Sequence, residues 1–190
     1  LLENLNKYNQ FIYISTSEVY GHQNKKLLFD ENMKVHPISP YSVGKYSGEL
    51  YAQMHMKHML KPIKILRPFN VFGEMQSEKA VIPELIKKFI KNQTVKITKG
   101  TQTRDFNYVG NTINFLLEAM KNKTFFNHIV NISDGSEISI KLLAKKIQKI
   151  TNSKSKLIIG GLAERKTEIY RMKASTTKMK KLMTIKKIFS

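Results

Sequence analysis

A chain of 190 residues with 41% hydrophobic and 9% aromatic content can bury one sizeable core, which excludes a disordered chain. No run approaches the roughly 18 apolar residues of a membrane span; Leu1-Leu2-Glu3-Asn4 has neither region of a secretory leader; and zero cysteines exclude disulfides, thiolate metal sites and a cysteine nucleophile, so the chain reads as cytoplasmic with no membrane partner. The net charge of +19 asks for an anionic partner, but its cations are mainly scattered lysines, with arginine only at 67, 104, 165 and 171, and charge alone does not make a nucleic-acid reader.

In chain order, Phe11-Ile12-Tyr13-Ile14 is a short apolar, β-branched run that predicts a buried strand, with Ser15 to Gly21 at its carboxyl end. Ser39-Pro40 supplies an N-cap and an N1 proline for a helix whose apolar positions Val43, Tyr46, Leu50 and Met54 recur at helical spacing, and which should stop near Lys61-Pro62. Ile63 to Leu66 reads as a second strand, completing a strand, helix, strand unit of a parallel sheet. Periodicity predicts three further helices. One carries Ile82, Leu85, Ile86 and Phe89; the next Ile113, Leu116, Leu117 and Met120 behind an Asn111 cap; the last Ile140, Leu143, Ala144 and Ile147 behind Ser139. Strands at 95–97, 129–132 and 157–159 separate them, and the class is α/β.

Tyr41 and Lys45 are four apart, so both project from one helix face, where an ammonium favours the phenolate and makes Tyr41 a candidate base. About one such pair is expected by chance in a chain this rich in lysine, and an exposed helix face explains it equally well. Ser15-Thr16-Ser17-Glu18-Val19-Tyr20-Gly21 packs hydroxyls and a carboxylate at a strand's carboxyl end, where α/β sheets place ligands, although a hydroxyl-rich turn reads the same way. His55 and His58 lack a third ligand type beside them, and no metal site is predicted. In a chain that defaults to lysine, each arginine marks a place that requires a bidentate fork.

The order of the blocks is more informative than any one of them. Ser-Thr-Ser-Glu-Val-Tyr-Gly, then Ser39-Pro40-Tyr41-Ser42-x-x-Lys45, then Arg67-Pro68-Phe69-Asn70-x-Phe72-Gly73 resembles the extended short-chain dehydrogenase/reductases that act on nucleotide sugars. The resemblance continues through Gln76-Ser77 to Pro83, Thr103-Arg104-Asp105-Phe106-Asn107-Tyr108-Val109, Asn131-Ile132 to Ile140, and Arg165-x-Thr167-Glu168-Ile169. Within the family the sequence looks most like the 4,6-dehydratases, particularly those handling N-acetylated hexosamine nucleotides for nonulosonic acid synthesis, within polysaccharide biosynthesis. The resemblance implies the second half of a Rossmann-type doubly wound parallel sheet over residues 1–73. Residues 74–190 are then mainly a smaller mixed α/β nucleotide-sugar-binding region, with segments returning to the sheet.

It also implies NAD as cofactor, touched by Ser15, Tyr41 and Lys45, a nucleotide-sugar substrate, and a homodimer when complete. Tyr41 would deprotonate the sugar 4-hydroxyl as hydride leaves C4. Lys45 would hold the nicotinamide ribose, and Thr16 would hydrogen-bond the reacting oxygen. Glu18 would remove the C5 proton as the 6-hydroxyl departs as water, and return of the hydride to C6 would regenerate NAD. Ser17 stands where the glucose-specific dehydratases carry an acidic Asp, which leaves Ser17, Glu18 or a water as proton donor. Asn70, Arg104, Arg165 and Glu168 would grip diphosphate and nucleoside. Three features depart from the family. No G-x-G-x-x-G occurs, and the missing portion is expected before Leu1; Glu74-Met75 replaces the usual Pro-Arg; Leu182-Met183-Thr184 replaces Leu-Gly-Trp. A 4-epimerase, a decarboxylase of the same scaffold and a non-catalytic remnant are the alternative readings.

Overall fold

The computed structural model describes residues 2–4, 7–24, 27–165 and 168–183. Its centre is a parallel sheet in which β1 (Phe11–Ile14) and β7 (Ile129–Ile132) flank β2 (Ile63–Pro68), with Phe11 opposite Ile63 and Arg67 opposite Asn131. β2 is buried from Ile63 to Arg67, as a central parallel strand covered on both faces must be. On one face Ile63 and Ile65 pack against Ala52 and Met56 of α1 (Pro40–His58); on the other Leu66, Val130 and Ile132 meet Phe115 and Ala119 of α3 (Val109–Lys121) and Met179 of α5 (Thr177–Leu182). The alternation of side chains along the strand sets which helix each residue meets.

The α/β class holds, and among the described residues seven small strands build the remainder. β3 (Asn70–Phe72) pairs in parallel with β6 (Phe106–Tyr108), and β4 (Val95–Ile97) with β9 (Leu157–Ile159). β5 (Thr103–Arg104) lies between β8 (Ile138–Ser139), antiparallel, and β10 (Arg171–Met172), parallel. Between them α2 (Val81–Ile90) and α4 (Ile140–Ile150) bury Leu85, Phe89, Leu143, Ala144 and Ile147 in a separate apolar cluster with Val95 and Ile97. No described helix is long and apolar enough to cross a membrane.

The predicted caps meet different fates. Ser39 caps α1 by accepting from the Ser42 amide at 3.1 Å, and Ser139 caps α4 through the Leu142 amide. Asn111 does not cap α3. That helix runs directly out of β6 with Tyr108 at its N-cap position, and Asn111, buried in its first turn, donates to Asp134 Oδ2 at 3.5 Å. The apolar stripes of α1 and α3 are turned from expectation: Tyr46 and Leu116 pack inward as predicted, but the other positions do not. Val43, Leu50 and Met54, and likewise Ile113, Leu117 and Met120, face outward, while α1 buries Ser42, Glu49, Ala52, His55 and Met56. Of the polar residues on that face, Glu49 is paired with Arg67 and Ser42 bonds Ser39, whereas His55 lies against the Tyr51 ring with neither ring nitrogen hydrogen-bonded among the described residues. One lysine likewise leaves the solvated faces. Lys64 is fully buried, and its Nζ donates to the Ala119 and Met120 carbonyls at the end of α3 and to Gln10 Oε1.

Candidate active site

β1 ends at Ile14, and the chain turns into a short 3-10 helix, Ser17–Tyr20, capped by Thr16, whose Oγ1 accepts from the Glu18 amide at 3.3 Å. That bond leaves the Thr16 hydroxyl proton available to donate. Gly21 closes the turn at φ 59°, where a Cβ would stand 1.8 Å from the His36 carbonyl oxygen, so no other residue fits without displacing the backbone. Ser17 is buried, and its hydroxyl donates to Met172 Sδ at 3.2 Å. Glu18 is exposed.

Opposite this loop, the first turns of α1 present Tyr41 and Lys45. Tyr41 is 54% exposed, and Lys45 Nζ donates to the Ile14 carbonyl at 2.9 Å, pinning the ammonium to the end of β1. The helix is held close to the strand by Tyr13, whose hydroxyl donates to the Lys45 carbonyl at 3.0 Å, and by Gly48, where a Cβ would lie 2.1 Å from that same hydroxyl. Ser15, Thr16, Ser17, Glu18, Tyr41, Lys45 and Asn70 together line one cleft. Ser15 Oγ is buried there without a partner among the described residues, a state that a bound ligand would relieve.

A second recess continues from the first. Glu18 and Asn70 line both, and Arg104, Arg165 and Glu168 line the far end together with Ile169 and Met172. All ten predicted site residues therefore converge on one continuous groove. Its cations are not equivalent. Arg104 is engaged within the chain, its NH2 pairing with the Glu168 carboxylate and its NH1 donating to the Thr103 and Ile169 carbonyls, whereas Arg165 lines the groove as an exposed side chain. Thr167, part of the last motif, and Thr184, of the altered Leu-Gly-Trp, lie outside the described residues.

Met172 is the site residue that no motif revealed. It is buried between Ser17 and Asn70, whose Nδ2 lies 3.6 Å from its sulfur, and it comes from a two-residue strand in the basic tail. Beside its backbone pairing with β5 and Phe29, two carboxylates hold that segment. Arg171 donates through Nε and NH2 to both oxygens of Glu137 at 2.7 and 2.9 Å, which holds the Glu137 carboxyl below its usual range. The Ala174 amide donates to Asp105 Oδ2 at 3.1 Å; burial pushes the Asp105 carboxyl up to about 6 despite this bond and those from Ser133 and Asn107.

Parallel strands ending in a hydroxyl-and-carboxylate loop that faces a Tyr-x-x-x-Lys helix define a protein of the short-chain dehydrogenase/reductase class. A sequence model of the NAD dependent epimerase/dehydratase family matches residues 1–133, and the chain belongs to that family. Human dTDP-D-glucose 4,6-dehydratase is 35% identical over 152 residues, covering 78% of this chain and 43% of that protein. The crystal structure of UDP-glucuronic acid 4-epimerase from Bacillus cereus, in complex with UDP-glucuronic acid and NAD, superimposes with a TM-score of 0.88 at 31% identity over 97% of this chain and 58% of that one. UDP-N-acetylglucosamine 4-epimerase from Methanobrevibacter ruminantium, in complex with UDP-N-acetylmuramic acid, gives a TM-score of 0.84 at 29% identity, covering 93% and 57%. The chain thus spans about half the length of the relatives it matches, and both dehydratases and epimerases are among them.

Proposed function

We propose that the protein carrying this chain is an NAD-dependent nucleotide-sugar 4,6-dehydratase, a lyase. The observation that supports this most is Glu18, an exposed carboxylate on the border between the Tyr41/Lys45 cleft and the Arg104/Arg165 recess. A diphosphate at the arginine end would lay the sugar across Glu18, where a base serves elimination rather than oxidation.

NAD, when bound, supplies reversible hydride acceptance. The residues present fit its nicotinamide end, with Ser15 Oγ buried and unpartnered beside Tyr41 and Lys45. Tyr41 takes the proton of the sugar 4-hydroxyl, Thr16 donates a hydrogen bond to that oxygen, and Lys45 holds the ribose and the charge. With C4 a ketone, the C5 hydrogen is acidic. Glu18 removes it, the C5–C6 double bond forms, the C6–O bond breaks, and the proton held by Glu18 leaves with the 6-hydroxyl as water. The hydride taken from C4 would then return to C6 and a proton to C5, which leaves the 4-keto-6-deoxy sugar and the cofactor oxidised again. The Ser17 hydroxyl is directed at Met172, which favours Glu18 over Ser17 as donor. Asn70, Arg104, Arg165 and Glu168 take the diphosphate and nucleoside, with Glu168 accepting from ribose hydroxyls.

Residues 1–73 form the catalytic half of a dinucleotide-binding domain and 74–190 mainly the nucleotide-sugar region, with β7 returning to the sheet beside β2. The outward stripe of Val43, Leu50, Tyr51 and Met54 on α1 supports a homodimer. A 4-epimerase is the second reading, favoured by the epimerase structures that superimpose on the chain.

The test is Glu18→Gln in the full-length protein, with mass spectrometry on a panel of nucleotide sugars. Reduced cofactor should still appear on adding substrate, while water loss falls by roughly two to four orders of magnitude, the usual scale for losing a general base. Release of the dehydrated sugar at near the unaltered rate would remove the carboxylate from the mechanism. A wild-type protein that yields a 4-epimer without water loss would establish the second reading.

A further inference from the structure

Beneath the groove lies a buried ion pair to which no catalytic role has been given. Arg67, at the end of β2, donates through Nε and NH2 to the two carboxylate oxygens of Glu49 at 2.9 and 2.6 Å, and the two side chains are 2% and 0% exposed. Burial works against the Arg67 charge, but Glu49 and Tyr20 outweigh it and hold the guanidinium protonated. A pair this deep adds little net stability over apolar residues of equal volume, so its presence asks for another explanation.

Its position supplies one. Tyr41, Lys45 and Glu49 follow each other at one-turn intervals along α1, winding from the exposed face to the core. Glu49 is therefore the inner end of the stripe whose outer end carries the proposed base. The same guanidinium lies 4.8 Å from the centre of the Tyr20 ring, at the end of the 3-10 helix that bears Ser17 and Glu18. Tyr20 is further fixed by donating to Asn131 Oδ1 at 2.7 Å, and Asn131 stands opposite Arg67 in the sheet while its Nδ2 donates to the Phe29 carbonyl. One side chain thus ties the helix of Tyr41 and Lys45 and the loop of Thr16 and Glu18 to the same strand.

We propose that Arg67 and Glu49 are positioning residues that set the rotation of α1 against the Ser15–Tyr20 loop, and with it the approach of Tyr41 to the substrate hydroxyl. This rests on the assignment of Tyr41 and Lys45 to the hydride step, which the dehydratase and epimerase readings share. A misplacement on the order of 1 Å costs about a hundredfold in rate.

The experiment uses the full-length protein and reads appearance of reduced cofactor in a single turnover, expressed per cofactor-binding site, beside the dissociation constants of NAD and nucleotide sugar. Glu49→Gln, which cannot accept both guanidinium bonds, should slow the hydride step by about ten- to a hundredfold with both dissociation constants within about twofold of wild type. The double variant Glu49→Met with Arg67→Met removes both charges and leaves neither unpaired, so its thermal midpoint should stay near wild type. Its hydride step should remain slow. A wild-type hydride rate in either variant overturns the inference, because the pair would then serve folding alone. The dehydratase reading fails separately, through water loss in the Glu18→Gln protein, and that outcome leaves the hydride measurement intact.

Discussion

The two ends of the groove hold their functional groups in different ways. At the sheet end the groups that frame the reacting position are tied to the scaffold: Lys45 to the Ile14 carbonyl, Thr16 to its own loop and, beneath them, Glu49 to Arg67. At the far end Arg104 is tied to Glu168 as well as to two backbone carbonyls, Arg171 is tied to Glu137, and Arg165 stands exposed. The first arrangement fixes geometry before a ligand arrives, as chemistry at a reacting atom requires. The second presents a pair that a diphosphate and a ribose have to separate, so binding there is an exchange of partners and its net strength is smaller than the contacts alone would give. In a lysine-rich chain three of the four arginines, Arg67, Arg104 and Arg171, use their forks on carboxylates of the chain itself.

Removing the base is the severest way to probe this division. Tyr41→Phe in the full-length protein should lower both reduced-cofactor formation and product release by about four orders of magnitude, the upper end for a general base, while calorimetry shows unchanged nucleotide-sugar affinity. Weakened binding would mean that the two ends do not act independently. A smaller effect is expected from the arginines. Arg104→Lys and Arg165→Lys should each weaken nucleotide-sugar binding about tenfold, since an ammonium cannot make two parallel hydrogen bonds, while substituting surface lysines leaves it unchanged. Wild-type affinity in both variants would remove the diphosphate from this end of the groove.

The smallest expected effect concerns Asp105, which supports the Met172 segment through Ala174. Its folded carboxyl titrates near 6, above its ordinary 3.8, so the folded state binds the proton more tightly than the unfolded chain. Its contribution to stability therefore grows as pH falls from 7 through 6 towards 4, and is lost as pH rises through 6. Denaturant unfolding should show wild type gaining about 1–2 kcal/mol relative to Asp105→Asn between pH 7 and pH 5. A difference that stays flat or shrinks on acidification would show that burial is not what raises this carboxyl.

Much of the sheet end was legible in the sequence because its signals are local. Ser39-Pro40 starts α1 where the capping pattern places it, and the strand runs at 11–14, 63–66, 95–97, 129–132 and 157–159 all appear. The convergence of Thr16, Glu18, Tyr41 and Lys45 follows from two such elements lying side by side. The far end draws on two-residue strands, too short for periodicity to register, and on contacts across long separations: Arg104 with Glu168, Ser17 with Met172. The inner face of α1 departs from its periodicity for a related reason. Periodicity assigns the apolar stripe to the core, but here the sheet side is taken by Glu49, whose partner Arg67 lies in another element.

Gly48 shows how a missing atom can set a length. The interval between β1 and α1 is the thickness of the Tyr13 hydroxyl, and a single methyl at position 48 would have to occupy space that oxygen already fills. The residue is not among those lining the groove and lies half-buried on a helix where alanine ordinarily stabilises by about 1 kcal/mol. In a saturation scan of the chain, alanine at position 48 should consequently push the Tyr13 ring aside and break its bond to the Lys45 carbonyl, lowering activity through the placement of α1, while the neighbouring Gly44, with open space around it, accepts alanine freely.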